Sequence, residues 1–313
     1  MNQSKRKFLK NGLMSALGLS LLNPGRGWAR LEPNTFQEAF TLKFSPEFGI
    51  FSALAGDDPI DQINWGKDNG FRAWENTMLK NRPVAEQEKI SNSLQKNGMD
   101  FGQFVGTLTF SEVTFAGNNE GARSKVLKEI NESVEIAKRM NTKFVHNVLG
   151  VMDSKLPYEF QIANAIELLK RAAEIYEKHE IVMVMETMNH KIDHPGMFLH
   201  TIPQAYALAK AVDSPSVKIL FDIYHVQIQE GNLLPTLDHA WDEIAYFQIG
   251  DTPGRKEPGT GEINYKNVLH HIAKKGYRGF LGMEHGIEGS GKEGARSALQ
   301  RYREIDKYVR ERV

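Results

Sequence analysis

The sequence predicts an α/β protein, a single (β/α)8 TIM barrel, from three observations. Short runs rich in apolar residues alternate with helical patterns from about residue 42 onward. Eight such runs over about 270 residues fit a closed barrel better than an open doubly wound sheet. No G-x-G-x-x-G or P-loop fingerprint follows the first run, which counts against a nucleotide-binding open sheet.

The eight predicted strands are apolar on both faces, as expected for a parallel sheet that helices cover. They are residues 42–51, 71–75, 100–106, 144–149, 181–188, 217–222, 244–249 and 280–284.

Six helices are predicted between these strands from apolar residues at helical spacing. The first begins with Pro83 at the first helical position and ends before Gly98, a common stop signal. The stretch around 237–241 has no clear pattern. The predicted helices are 83–97, 120–140, 157–178, 202–211, 265–275 and 295–309.

Residues 1–29 are predicted to be an export signal of the twin-arginine-like type, and residues 30–313 the barrel. The segment has a basic start, an uncharged apolar stretch at 13–22 that is too short to span a bilayer, and a small residue at Ala29. The alternative is an amphipathic or disordered basic tail. An export signal predicts a periplasmic protein without a stable membrane anchor after cleavage.

The charge balance excludes a nucleic-acid partner. Lys plus Arg and Asp plus Glu both count 39. Removal of residues 1–29 takes away five basic and no acidic residues, leaving 34 against 39, a net charge of minus five. We therefore expect a small-molecule partner, and a homo-oligomer is left open. The absence of cysteine excludes disulfides and thiolate chemistry.

Four consecutive predicted strands carry polar residues at or near their carboxyl ends, and these residues would meet at one rim of the barrel. These residues are Glu186, Asp222, Gln248 and Glu284. Oxygen donors of this kind suit one divalent cation, Mg²⁺ or Mn²⁺. Three carboxylates crowded without a cation would repel one another.

Further polar side chains lie near the same predicted rim. Each has an alternative: Asp222 alone could cap a helix, Gln248 could be a core amide, and His225 could be packed locally. The Gly/Pro-rich stretch 252–261 could be a surface turn. These residues occur at corresponding positions on successive predicted strands, which favours a functional site over the separate alternatives. The additional residues near the rim are Glu75, His146, Asn147, Asn189, His190, His225, Asp251, Arg255 and Glu257.

Four segments resemble the hydroxypyruvate isomerase family, one of the xylose isomerase-like barrels that also include the ketose 3-epimerases. They read METMNH, LFDIYHVQ, FQIGDTPGRKEPGTGEINY and GMEHG, and the resemblance extends over about residues 40–309. Gln248 resembles the isomerase branch, whereas the epimerase branch more often has histidine there. His285 departs from the family, where an aromatic residue is expected.

The resemblance implies a role for each matching residue. Glu186, Asp222, Gln248 and Glu284 would bind the metal, and the two glutamates would also act as acid and base. The substrate contacts would be His225 and Arg255, and we also predict Glu75 and Asn189.

The predicted activity is the interconversion of hydroxypyruvate and tartronate semialdehyde, or of a similar small hydroxy-carbonyl compound, through an enediolate. Three alternatives stay open at this point: a ketose 3-epimerase, a metal-dependent phosphodiesterase of the endonuclease barrels, and a non-catalytic periplasmic sugar-binding barrel. The acidic mature chain argues against the phosphodiesterase.

Overall fold

The computed structural model describes residues 38–313, so the predicted export signal lies outside the described residues. Nine strands occur in that part of the chain: β1 Lys43–Pro46, β2 Ala73–Trp74, β3 Asp100–Phe101, β4 Gln103–Thr107, β5 Phe144–Asn147, β6 Val182–Glu186, β7 Val217–Asp222, β8 Ile244–Ile249 and β9 Phe280–Met283. The described helices are α1 Ser52–Ala55, α2 Pro59–Asp68, α3 Val84–Lys96, α4 Glu120–Met140, α5 Tyr158–Glu177, α6 Ile202–Val212, α7 Ile223–Gln229, α8 Leu233–Ala240, α9 Tyr265–Lys274 and α10 Gly291–Arg310.

The strands form a closed parallel barrel, which confirms the predicted fold. Seven of them form one sheet in the order β1-β9-β8-β7-β6-β5-β4, and β2 pairs with β3. The short pair closes the ring: the amide of Glu75 donates to the carbonyl of Pro46 (3.0 Å), and the amide of Gly102 donates to the carbonyl of Trp74 (2.8 Å).

The third predicted strand is interrupted at Gly102, which separates β3 from β4. A Cβ atom at this position would lie 2.3 Å from the Tyr246 hydroxyl and 3.0 Å from the Ser45 hydroxyl. Polar groups inside the barrel therefore occupy the space that a side chain at residue 102 would need.

The first predicted strand is too long, and this part of the prediction is wrong. β1 ends at Pro46, and a turn with Gly49 at φ 101° leads into α1. The apolar residues of 48–51 pack onto the core from this turn and not from a strand. As a consequence, Glu47 is itself a strand-end residue.

Four helices were not predicted: α1, α2, α7 and α8. A signal for α2 is present in the sequence, because Asp58 accepts a hydrogen bond from the amide of Ile60 (2.7 Å) and Pro59 is the first helical residue. Among residues 38–313, no helix combines the length and the apolar character that a membrane span requires.

Candidate active site

The four predicted metal ligands lie on four neighbouring strands at the carboxyl-terminal rim of the barrel. Glu186 ends β6 and Asp222 ends β7, and Asp222 is paired in register with Gln248 of β8. Glu284 directly follows β9, and its amide donates to the carbonyl of Ile249 (3.1 Å). The structure thus brings the predicted ligands to the same rim.

Asp222 has two functions in the structure. Its Oδ1 atom accepts hydrogen bonds from the amides of Tyr224 (2.8 Å) and His225 (3.3 Å), and so it caps the N-terminus of α7. Its Oδ2 atom lies 3.4 Å from Nη2 of Arg255. The helix-cap alternative is therefore correct for one oxygen, while the other oxygen faces the site.

The donor atoms at this rim fit a divalent cation. Ligand atoms of Glu186, Asp222 and His225 lie within 4.8 Å of one another. Both amide atoms of Gln248 and Oε1 of Glu186 are buried without a hydrogen-bond partner among the described residues. Buried polar groups normally have a hydrogen-bond partner, so these atoms are free to bind a ligand, and their oxygens are of the type that binds a hard cation.

Burial makes the carboxylates at this rim costly to ionise. It raises the pKa of Glu186 well above its usual range, and the neighbouring Glu284 and Asp222 raise this pKa further. Burial also raises the pKa of Asp222, although Arg255 opposes this effect. Positive charge at this position, from a cation or from Arg255, stabilises the ionised carboxylates.

Arg255 joins two of the carboxylates. Its Nη2 atom lies 3.0 Å from Oε2 of Glu284 and 3.4 Å from Oδ2 of Asp222, and its guanidinium lies over the ring of Tyr224 at 5.0 Å. Burial lowers the pKa of Arg255, but the neighbouring carboxylates raise it above its ordinary value. This residue therefore provides a fixed positive charge at the rim.

The loop after β8 holds Arg255 in place through Asp251. The carboxylate of Asp251 is fully buried and accepts hydrogen bonds from four backbone amides, those of Thr252, Gly259, Gly261 and Ile263, at 2.8–3.1 Å. Arg255 itself has a φ of 49°, a backbone conformation that the closed loop has to stabilise. The DTPGRKEPGTGEIN segment therefore forms an ordered loop and not a simple surface turn.

Asn189 determines which nitrogen of His225 is protonated. The Oδ1 atom of Asn189 accepts from the amides of Ile192 and Asp193, both at 3.0 Å, so its Nδ2 group is the donor. This group lies 2.6 Å from Nδ1 of His225, which therefore accepts. Burial lowers the pKa of His225 well below its usual range, so the neutral ring carries its proton on Nε2.

Glu75 is buried inside the barrel near the level of Gln248. Its carboxyl group contacts the Tyr246 hydroxyl and lies 3.4 Å from Nε2 of Gln103. It fills the space beside Gly282, where a Cβ atom would lie 2.6 Å from both carboxyl oxygens. That Glu75 contacts the substrate stays a prediction.

Two residues of the site were not assigned a function from the sequence. Glu47 accepts a hydrogen bond from the amide of Thr77 (2.8 Å), and burial raises its pKa to about 7, with a smaller contribution from Glu284. The Nε2 atom of His146 lies 2.8 Å from Oε2 of Glu186, and burial lowers the pKa of His146 to about 4. A shorter first strand would have identified Glu47 as a strand-end residue.

Several known proteins are similar to this chain. A hydroxypyruvate isomerase of Escherichia coli (strain K12) is 35% identical over 153 residues, which cover 49% of this chain and 59% of that protein. A 2-oxo-tetronate isomerase of Pectobacterium atrosepticum is 27% identical over 257 residues, covering 80% of this chain and 95% of that protein. The predicted resemblance to hydroxypyruvate isomerases is thereby confirmed.

A solved structure and a family description support the same fold. The crystal structure of an AP endonuclease, family 2, from Brucella melitensis has a TM-score of 0.72 at 20% identity, and the match covers 84% of this chain and 98% of that one. At this identity the likeness concerns the fold alone. Residues 63–305 match the xylose isomerase-like TIM barrel family, and the chain belongs to that family.

Proposed function

We propose that the protein is an isomerase that interconverts hydroxypyruvate and tartronate semialdehyde, or a similar small hydroxy-carbonyl compound. One observation carries this proposal: Glu186 at the end of β6 and Glu284 just after β9 lie on either side of Asp222 and Gln248, at the rim where His225 and Arg255 present N–H groups. Similarity to proteins named hydroxypyruvate isomerase and 2-oxo-tetronate isomerase supports the same reaction class.

The two glutamates would move the proton. Transfer of a carbonyl to the next carbon requires removal of a proton beside the carbonyl and its return to the neighbouring carbon, through an enediolate. Glu186 is almost fully buried, whereas the side chain of Glu284 is 26% exposed. The two carboxyl groups therefore lie in different environments, the kind of arrangement that an acid and base pair uses.

The N–H donors would hold the substrate oxygens. His225 carries its proton on Nε2, which has no hydrogen-bond partner among the described residues and lies 3.5 Å from Oε1 of Glu186. Arg255 can bind a substrate carboxylate through two parallel hydrogen bonds. We propose that His225 contacts an oxygen at the reacting carbons and that Arg255 contacts the carboxylate.

A divalent cation, Mg²⁺ or Mn²⁺, would be held by Glu186, Asp222, Gln248 and Glu284. When bound, it supplies positive charge beside the oxygens on which negative charge develops. Burial makes the ionised forms of Glu186 and Asp222 unfavourable. The positive charge of the cation would stabilise both carboxylates.

A substrate panel tests the proposed function. The protein is incubated with Mn²⁺ or Mg²⁺ and, separately, with hydroxypyruvate, 2-oxo-tetronate and free ketoses, and the products are identified by NMR. We expect conversion of the hydroxy-carbonyl acids and its loss after the metal is removed with a chelator. Turnover of free ketoses alone would identify a 3-epimerase, and binding without turnover would identify a sugar-binding protein.

We also propose that residues 1–29 direct export to the periplasm, on the basis of their basic start and short apolar stretch. Amino-terminal sequencing of the protein recovered from the periplasmic fraction should begin at Arg30. Recovery of the uncut chain from the cytoplasm alone would contradict this proposal.

A further inference from the structure

His146 lies against the carboxylate of Glu186 inside the barrel. It belongs to β5, which pairs in parallel with β6 so that His146 lies opposite Val184, two residues before Glu186. The imidazole is 2% exposed, and its Nε2 atom lies 2.8 Å from Oε2 of Glu186. The neighbouring strand therefore places a ring nitrogen directly beside a proposed catalytic oxygen.

The short distance between these two atoms requires one of the two groups to be protonated. Two lone pairs at 2.8 Å would repel, so either the ring nitrogen or the carboxyl oxygen is protonated. The contact has the distance of an ion pair without the alignment of a hydrogen bond, and neither nitrogen of His146 has a hydrogen-bond partner among the described residues. The carboxylate of Glu186 is thus the charged group that the described residues place against Nε2 of His146.

Packing alone does not account for a histidine at this position. Val184 and Leu220 belong to an apolar cluster in the barrel interior, and a leucine or methionine would fill similar space without a polar atom. An imidazole that is buried with unsatisfied nitrogens lowers stability relative to one whose nitrogens have hydrogen-bond partners. His146 is therefore a buried polar side chain whose polar contact is with the candidate active site.

We propose that His146 is a positioning residue for Glu186: its ring holds Oε2, so that Oε1 stays directed at the cation and the substrate. The second oxygen already lies 3.5 Å from Nε2 of His225. Two imidazoles, one from β5 and one following β7, thus flank the carboxylate. This inference rests on the function proposed above, because it assigns an effect on the same catalytic glutamate.

If His146 positions Glu186, its replacement should affect metal binding and catalysis but not stability. Two variants test this expectation. His146→Leu removes the polar contact and fills the space, whereas His146→Gln keeps a polar nitrogen and oxygen at about the reach of Nε2. For each variant we would measure Mn²⁺ binding by electron paramagnetic resonance, kcat and KM for hydroxypyruvate, and the free energy of unfolding in urea.

We expect His146→Leu to weaken Mn²⁺ binding and lower kcat by about 10–100-fold, because groups that orient metal-binding side chains have effects of this size. Its free energy of unfolding without metal should be equal to or above that of the wild type. His146→Gln should recover most of the binding and of kcat. Val145→Ala is the control, because Val145 is fully buried on the same strand outside the site and its truncation should lower stability only.

Wild-type Mn²⁺ binding in His146→Leu, or equal losses in His146→Leu and His146→Gln, would overturn the inference. If His146→Leu does not fold, His146→Gln and His146→Asn are compared instead. The longer side chain of His146→Gln should keep Mn²⁺ binding and the shorter one of His146→Asn should lose it. Equal Mn²⁺ binding in these two variants would overturn the inference. If the wild type converts no hydroxy-carbonyl substrate, the proposed function fails, while the Mn²⁺ measurements still test the position of Glu186.

Discussion

Asn189 holds His225 through a contact of 2.6 Å between its Nδ2 group and Nδ1 of the imidazole. The amide is itself held by two backbone N–H groups, so it cannot turn its oxygen towards the ring. His225 therefore presents Nε2–H to the site, as a hydrogen-bond donor and not as a metal ligand. His225 also belongs to a group of possible metal ligands with Glu186 and Asp222. Its protonated Nε2 is consistent with the predicted substrate contact and not with metal binding.

Asn189→Asp should reverse the protonation of His225. The new carboxylate keeps both backbone hydrogen bonds but accepts from Nδ1, so the proton moves there and Nε2 loses it. To avoid repulsion from Asp193, which lies 2.7 Å from Nδ2 of Asn189, the variant is made together with Asp193→Asn. We expect a loss of about 100–1,000-fold in kcat, the effect of removing one hydrogen-bond donor to an oxygen on which negative charge develops.

The nitrogen-15 shifts of His225 report the position of the proton, with Asp193→Asn alone as the control. A protonated Nε2 in the double variant would show that Asn189 does not determine the tautomer.

Asp251→Asn should destabilise the loop that carries Arg255. Four backbone amides donate to the two carboxylate oxygens, and an amide side chain can accept from only one of its two ends. We expect a loss of about 2–4 kcal/mol in the free energy of unfolding. The control is Asp238→Asn, a half-exposed residue paired with Lys275, which should change stability by about 0.5 kcal/mol or less. Equal effects of the two changes would disprove the role of Asp251.

Arg255→Lys should weaken the binding of substrates that carry a carboxylate. Lysine keeps the positive charge but cannot form the two parallel hydrogen bonds of a guanidinium. KM for hydroxypyruvate should rise by about 10–100-fold, a loss expected for one charge-assisted pair, while KM for an uncharged hydroxy-carbonyl substrate should change much less. Arg301→Lys, which alters a contact to Gly259 in the same loop, is the control. A similar rise for both substrates would mean that Arg255 does not bind the carboxylate.

Glu75→Gln should make stability less dependent on pH. Burial, and then the neighbouring Glu47, raises the pKa of Glu75 well above 4.5, so the folded protein holds this proton more tightly than the unfolded chain does. The stability from this group is complete below pH 4.5 and is lost as pH rises through the raised pKa. The variant has no such loss, because its amide does not ionise.

Urea unfolding between about pH 5 and pH 9 tests this prediction, and the advantage of the variant over the wild type should grow with pH. A constant difference would contradict the raised pKa. The KM of the same variant tests the separate prediction that Glu75 contacts the substrate, since such a contact predicts a higher KM and a purely internal position does not.

The barrel could be predicted from the sequence because parallel strands are apolar on both faces and their ends are marked by polar residues. Six of the eight predicted strands lie within about two residues of those observed, and Glu186, Asp222 and Gln248 lie at or next to the ends of β6, β7 and β8, as predicted. The first strand was predicted to be too long because apolar residues of the segment 42–51 continue through the turn that follows β1. α7 was missed because its only start signal, Asp222, is also a site residue.

Contacts between distant segments could not be predicted. The proximity of His146 to Glu186 depends on the register between β5 and β6, and the placement of Glu75 beside Gly282 depends on barrel closure. His285, where the family resemblance led us to expect an aromatic residue, packs away from the site: its ring stacks on Tyr302 with centroids 5.8 Å apart, and Nδ1 lies 2.8 Å from the carbonyl of Gly286. This departure therefore has a structural explanation in the core.

The most direct test of the two-glutamate scheme is the incorporation of solvent deuterium into the substrate, followed by NMR in D₂O with Mn²⁺. Glu284→Gln keeps an oxygen that can bind the cation but cannot move a proton, and Glu288→Gln alters an exposed neighbour as the control. The wild type and Glu288→Gln should incorporate deuterium, whereas folded Glu284→Gln should lose incorporation by at least about 100-fold. Full exchange in Glu284→Gln would contradict the proposal that Glu186 and Glu284 share the proton transfer.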